Sequence, residues 1–192
     1  MKKLVCTVLP LLAIALVLAT GTAMAQDNVY SLSYFANAHT TGAPDAILRL
    51  ANDGNVSDSA PNGNLWADIY VFAPDEQMAE CCSCGITPNG YLALSVNNAL
   101  AANPLTGVPL HRGLVKVLST NNSNPATPSL RVGIRGWMTH IQNNLTSFSI
   151  TEAQLTDSTL GEAEYADLGE DCGVLIELGS GHGICRCADS GH

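Results

Sequence analysis

Cysteines are the residues of this chain with the clearest capacity for chemistry. Six of the seven lie beyond residue 80, as a Cys-Cys-Ser-Cys cluster, a Cys-Arg-Cys pair and one residue between them: Cys81, Cys82, Cys84, Cys172, Cys185 and Cys187. An even number of cysteines in an exported protein predicts disulfide bonds, because oxidising compartments let such bonds form and persist. We therefore expect all six to be disulfide-bonded.

The spacing of these cysteines restricts how they can pair. Adjacent Cys81 and Cys82 cannot easily reach the Cα separation and dihedral angle of a disulfide, and a Cys-x-Cys bridge is strained as well. The three mid-chain thiols are therefore expected to pair with Cys172, Cys185 and Cys187, which leaves six of the fifteen possible connectivities. Each of them ties the C-terminal tail to the middle of the chain.

A thiolate metal site is the alternative use of the same cysteines. Thiolates are soft ligands that suit Cu(I) or Zn(II), and a nearby histidine would add a nitrogen donor. The ligands of such a site would be Cys81, Cys82, Cys84, Cys185, Cys187 and His182. The spacing lacks the paired Cys-x-x-Cys knuckles of structural zinc sites, so disulfides are favoured and no cofactor is expected.

Candidates for catalysis are few. The five histidines form neither a His-x-x-x-His nor a His-Glu-x-x-His motif: His39, His111, His140, His182 and His192. The segment Gly179-Ser180-Gly181-His182-Gly183 lacks the Gly-x-Ser-x-Gly of a nucleophile elbow and the lysine of a phosphate-binding loop. It is interpreted as a flexible turn, and a small secreted hydrolase that uses Ser180 and His182 is the least favoured function.

The first 25 residues have the three parts of a secretory signal peptide. Lys2 and Lys3 precede an apolar run from Leu4 to Leu18, and small residues end in Ala23-Met24-Ala25. The run is shorter than the roughly 20 residues that span a bilayer. The sequence therefore predicts a signal peptide at 1–25, a single domain at 26–192, and a secreted, extracellular or cell-envelope location without a membrane span in the mature chain.

The charge of the mature chain excludes several partners. Beyond residue 25 there are six Lys and Arg residues against seventeen Asp and Glu residues, a net charge of −11, and Lys116 is the only lysine. So few cations cannot neutralise a phosphate backbone, so nucleic acid is not an expected partner, and anionic lipids are disfavoured for the same reason. The acidic residues are scattered, which is typical of a surface that favours solubility.

Short segments rich in apolar and β-branched residues predict six strands, since Gly, Pro and Asn clusters bound them. The segments are 29–35, 46–51, 65–72, 91–96, 114–118 and 130–137. Thr159 and Glu162 match a capping box before an amphipathic segment, which predicts one helix near residues 159–172. The predicted fold is mainly β, an antiparallel β-sandwich or open barrel with one α-helix in the C-terminal region, stapled by disulfides.

A rugged exported domain without a catalytic motif is interpreted as a structural or binding module of unknown ligand. Assembly through strand edges is one specific form of this hypothesis, with the segment Gln26–Phe35 as the candidate donor strand. The expected partners are a second copy of the chain, an extracellular or envelope protein, or a glycan. A thiolate metal-binding protein that holds copper or zinc is the second hypothesis.

Overall fold

The computed structural model describes residues 29–54, 63–103, 106–180 and 187. The predicted signal peptide, His182, Cys185 and His192 lie outside these described residues. Within the described ranges, no helix has both the length and the apolar character needed to cross a membrane.

In the described residues, nine strands form two antiparallel sheets. The five-stranded sheet has the order β4 (Met78–Ile86), β3 (Leu65–Phe72), β6 (Arg112–Thr120), β1 (Tyr30–Ala36) and β9 (Thr156–Asp157). The four-stranded sheet has the order β5 (Tyr91–Ser95), β2 (Ile47–Asn52), β7 (Ile134–Asn143) and β8 (Phe148–Gln154). One helix, α1 (Glu162–Leu175), follows the strands, and single π-helical turns lie at Val96–Leu100 and Ile176–Ser180. The predicted mainly β fold with one helix near the C-terminus is confirmed.

The main core lies between the two sheets. Successive side chains of a strand point to opposite faces, so every second residue of each strand can enter this layer. Ile69 and Val71 of β3 meet Leu48 and Leu50 of β2 and Met138 of β7 in one buried cluster. Burial of apolar surface stabilises the fold by about 25 cal/mol per Å². The face of each sheet that carries the apolar residues therefore packs inward, and the alternation along each strand determines which face that is.

Helix α1 covers the other face of the five-stranded sheet. Its residues Leu168 and Leu175 pack against Tyr70 and Leu118 in a second buried cluster. Polar contacts near the start of the helix hold it in place: the Glu164 carboxylate lies 2.5 Å from the Lys116 Nζ and accepts a hydrogen bond of 3.0 Å from the Tyr30 hydroxyl. The Lys116 ammonium also lies 4.3 Å from the centre of the Phe72 ring, a favourable cation–π arrangement.

Three strands were not predicted from the sequence. The Cys81–Cys84 cluster lies inside β4, whereas β8 and β9 come from a polar segment that lacks an apolar alternation. The predicted strand at 130–137 begins only at Ile134, because Leu130 forms just an isolated bridge with Thr120 and Gly133 adopts a φ of 142°. Pairing with a neighbouring strand, rather than local sequence preference, decides these boundaries.

The predicted capping box was wrong. Helix α1 begins at Glu162 after Gly161, which makes no side-chain cap hydrogen bond, and Thr159 lies outside the helix. Glu162 and Glu164 occupy the first turn instead, where carboxylates interact favourably with the partial positive charge of the helix N-terminus.

The chain crosses from one sheet to the other at Leu155, between β8 and β9, and this corner requires a glycine. A Cβ on Gly136 would lie 2.4 Å from the Leu155 Cδ1 and 2.9 Å from the Leu50 Cδ2. We expect Gly136→Ala to lower the free energy of unfolding by about 1–3 kcal/mol, the usual cost of overpacking a core. Urea denaturation measures this change.

The helix supplies the matched control for that substitution. A Cβ on Gly173 would make only an ordinary contact of 3.8 Å with Ala126, and alanine is the better helix former by up to about 1 kcal/mol. Gly173→Ala is therefore expected to be neutral or stabilising. A Gly136→Ala variant as stable as the parent would contradict the packing of Leu155 on this glycine.

Candidate functional site

Strand β4 distributes its three cysteines over both faces of the sheet. Cys81 pairs with Tyr70 and lies in the cluster under the helix, whereas Cys82 and Cys84 pair with Ile69 and Ala67 and lie in the core between the sheets. The Cys-Cys-Ser-Cys spacing is thus that of an edge strand whose side chains alternate. Adjacent cysteines can therefore fasten different parts of the chain to opposite sides of one strand.

Two disulfides join β4 to the C-terminal part of the chain. Cys81 bonds to Cys172 of α1 with an S–S distance of 2.07 Å, and Cys84 bonds to Cys187 at 2.11 Å. Both connect a mid-chain cysteine to a C-terminal one, as the spacing predicted. Cys82 is also disulfide-bonded, and Cys185 lies outside the described residues.

The structure brings together three of the six residues that the metal hypothesis used. The sulfur atoms of Cys82, Cys84 and Cys187 all lie within 4.8 Å of one another, and the Cys82 and Cys84 sulfurs are 4.0 Å apart. Cys81 is bonded to Cys172 on the opposite face of the sheet. Metals bind the thiolate form of cysteine, so these disulfide sulfurs would become ligands only after reduction.

The residues considered for catalysis do not form a catalytic arrangement in the described part of the chain. Ser180 ends the last π-helical turn, and His182 lies outside the described residues. His111 Nδ1 lies 2.8 Å from the Ala38 carbonyl oxygen, and its ring meets that of His39 edge to face. The buried His140 ring packs against that of Tyr34, with its Nδ1 atom unpaired among the described residues.

Two fully buried carboxyl groups have strongly raised pKa values. Burial raises the pKa of Asp68 to about 7, and the nearby Ser83 and Thr120 hydroxyls offset only part of that rise. These two hydroxyls lie near the Asp68 carboxyl but are not well aligned for a full hydrogen bond to it within the described ranges. Burial likewise raises the pKa of Glu80 to about 7, although the backbone N–H of Asn103 donates to its Oε1 at 2.7 Å. Both groups are enclosed, so they bear on stability rather than on contact with a ligand.

The outer face of the four-stranded sheet carries two exposed aromatic rings. Tyr91 of β5 is 59% exposed and Trp137 of β7 is 37% exposed. Paired residues of neighbouring antiparallel strands point to the same face, and the register pairs Tyr91 with Ala51, and Arg49 with both Ala93 and Trp137. We call these five residues the aromatic platform. Tyr91 and Trp137 are two strands apart and offset by two residues along the strands, so their backbones are about 12 Å apart, with Ala51 and Ala93 beside them.

The arginines on this face are already paired with carboxylates. The Arg49 guanidinium lies 3.2 Å from Glu152 and donates to the Thr139 hydroxyl at 2.8 Å. Arg135 Nε lies 3.5 Å from the Asp53 carboxylate. The aromatic platform is therefore a face without an uncompensated arginine charge, and its polar groups are held in fixed positions.

Sequence reasoning did not single out Trp137 or Tyr91 as surface residues. The signal was present, because Ile134 and Met138 are apolar residues at even positions of β7 and Trp137 lies at an odd one. Such alternation places Trp137 on the opposite face. Which face is covered by the other sheet follows only from the tertiary structure.

Comparisons with known proteins add little to this description. No family model matches the chain, and no curated protein matches it. Among solved structures, the crystal structure of Thermotoga maritima 1070 is similar with a TM-score of 0.44 and 10% identity, over 71% of this chain and 99% of that one. A similarity of this size carries neither the fold nor a function over to this chain.

Proposed function

We propose that this protein is an exported binding module that holds an uncharged glycan on the aromatic platform. The observation that carries the proposal is the exposure of Trp137 and Tyr91 on one sheet face, with Arg49 and Ala51 of the strand between them held in that same face. Exposed aromatic groups that converge on one face mark interaction sites more often than isolated surface residues do. The disulfides are compatible with the oxidising compartment that the N-terminal sequence predicts.

The chemistry of the platform suits a sugar chain. The C–H bonds on the faces of a pyranose ring carry partial positive charge, and the face of an aromatic ring is negative, so the two stack favourably. Sugar hydroxyls then need fixed polar partners at the rim, and the exposed residues Gln154 and Glu152 of β8 lie beside Trp137 for that role. An open face admits an internal stretch of a long chain, since no wall has to enclose its ends.

Charge selects among the possible glycans. The arginines near the platform are paired with carboxylates, and the mature chain carries a net charge of −11. An acidic polysaccharide would meet repulsion from the negative net charge, and both arginines on this face are already paired with carboxylates. The proposal therefore concerns neutral glycans.

Removing the Trp137 ring tests the proposal. We expect Trp137→Ala to weaken binding to a neutral polysaccharide at least tenfold, which corresponds to about 1.4 kcal/mol, because the stacking surface is lost. Tyr91→Ala should weaken it less, since one ring remains. Affinity electrophoresis against a panel of neutral and acidic polysaccharides finds the ligand, and titration calorimetry then measures the dissociation constants.

Tyr34→Ala is the matched control, because Tyr34 is 55% exposed on the five-stranded sheet. It should bind as the parent does. An equal loss in Tyr34→Ala, binding of acidic polysaccharides alone, or no binding to any member of the panel would contradict the proposal.

Metal binding is the second candidate, and the cluster of Cys82, Cys84 and Cys187 sulfurs is the observation that favours it. It ranks lower because it requires the reduced protein. Metal analysis of protein purified without added metal, together with a thiol count, separates the two functions. Stoichiometric copper or zinc with free thiols would make the cysteine cluster the functional site.

A further inference from the structure

The edge strands of the two sheets differ in how well they are protected from pairing with a strand of another molecule. Strand β1, which contains most of the predicted donor segment, is not one of them, because β6 pairs with it on one side and β9 pairs with Ser31 and Leu32 on the other. Edge strand β9 has only two residues, β5 has five, and β4 is bonded to the C-terminal tail through Cys84 and Cys187. Strand β8 is the longest edge strand that carries no disulfide, with seven residues paired on one side to β7.

Strand β8 lacks the features that usually prevent edge-to-edge pairing. Its sequence, Phe-Ser-Ile-Thr-Glu-Ala-Gln, contains no proline and no lysine, and its register with β7 is continuous, without a bulge. The one charged residue, Glu152, is paired with Arg49. Natural proteins normally block an exposed edge with one of these devices, because its free N–H and C=O groups are a template for another strand.

Several side chains on β8 and in the turn before it are exposed to solvent. Thr151 and Ala153 pair with the buried residues His140 and Met138, yet both are themselves exposed. Ile150 is 59% exposed, and Leu145 in the β7–β8 turn is 98% exposed. Exposed apolar groups next to an unpaired strand indicate a surface that a partner covers.

We propose that β8 pairs antiparallel with β8 of a second copy of this chain across a two-fold axis at Thr151. A contact of this kind closes both edges at once and leaves none free for further growth. Glu152 of each copy then lies opposite Ile150 of the other, so like charges do not meet in the ladder. The two four-stranded sheets become one eight-stranded sheet.

This dimer would deepen the proposed function, because it places two aromatic platforms on one continuous face. A glycan chain long enough to reach both would bind with an effective concentration set by their fixed separation. The pairing itself needs no ligand. Dimer formation can therefore be tested separately from glycan binding.

A charge at the two-fold axis tests the pairing. We expect the parent protein to have twice the chain mass by light scattering after size exclusion, and Thr151→Lys to be monomeric, since two ammonium groups would face each other across the axis. Val174→Lys adds the same charge to a half-exposed site on α1 and should remain dimeric. Trp137→Ala should also remain dimeric, which separates this test from glycan binding.

A charge-swap pair makes the experiment independent of folding defects. Thr151→Lys and Thr151→Glu should each be monomeric alone and should form a heterodimer when mixed, because the opposed charges then attract. A monomeric parent at its highest soluble concentration would overturn the proposal. A Thr151→Lys variant that stays dimeric would overturn it as well, since another surface would then hold the dimer.

Discussion

Replacing both Cys81 and Cys172 with alanine is expected to lower the free energy of unfolding by about 3 kcal/mol. The two residues are 91 apart in sequence, but the Cys84–Cys187 bridge remains in this variant. The loop that the Cys81–Cys172 bridge closes in the unfolded chain is therefore about 18 residues long, and the chain-entropy model assigns about this free energy to it. Alanine is preferred to serine, because both sites are buried and a hydroxyl without a partner would add its own penalty. Urea denaturation without a reductant measures the difference.

The second bridge provides the comparison. Cys84 and Cys187 are 103 residues apart in sequence, but a neighbouring bridge from Cys82 leaves a much shorter loop for this pair to close. Cys84→Ala/Cys187→Ala should therefore lose less free energy, about 2 kcal/mol, because the cost of loop closure grows with the logarithm of loop length. Peptide mapping of the parent without reduction is expected to find a third bridge between Cys82 and Cys185. A loss below about 1 kcal/mol for either pair would contradict the entropic account of these bridges.

Stability should rise as the pH is lowered from about 7 to about 4. Burial raises the pKa of Asp68 from 3.8 to about 7 and that of Glu80 from 4.5 to about 7. The folded state therefore holds protons that the unfolded state has released, and stability falls as the pH rises through this window. Each carboxyl group is expected to change the free energy of unfolding by a few kcal/mol across this pH window, since a pKa shift of one unit corresponds to about 1.4 kcal/mol.

Neutral variants identify the groups responsible. Asp68→Asn and Glu80→Gln should each flatten the dependence of the unfolding free energy on pH and raise stability at pH 8 relative to the parent. Glu170→Gln, at an exposed position of α1, should leave the slope unchanged. If the free energy of unfolding of the parent protein stays constant or falls as the pH is lowered from 7 to 5, these carboxyl groups are ionised in the folded state and the prediction is wrong.

The parts of the fold that could be predicted are those where local pattern and burial agree. Strand β3 was predicted at its observed bounds, because its apolar residues fill both a sheet–sheet and a sheet–helix layer. Strand β8 was missed, because five of its seven residues are exposed and only pairing with β7 makes it a strand. The start of α1 was misplaced, since Gly161 rather than Thr159 precedes the helix and the first turn contains Glu162 and Glu164, which interact favourably with the helix dipole.

Some features of the candidate site could likewise be predicted from the sequence, and others required the tertiary structure. The direction of the disulfides, from the mid-chain cluster to the C-terminal residues, followed from the geometry of adjacent cysteines. That Cys81 and Cys84 would serve opposite faces needed the knowledge that they lie on a strand. The aromatic platform is assembled from β5, β2 and β7, which lie far apart in the sequence, so no local pattern could reveal it.

Most of the basic residues beyond Lys3 lie within strands. Arg49 is in β2, Arg112 and Lys116 are in β6, and Arg135 is in β7. The backbone N–H of Arg131, just before β7, donates to the Ser119 carbonyl oxygen at 2.8 Å. A protease that cleaves after lysine or arginine needs the chain at that residue to open first, so its rate here follows the unfolding equilibrium. The described body of the protein should therefore persist among trypsin-like proteases for as long as its bridges keep it folded.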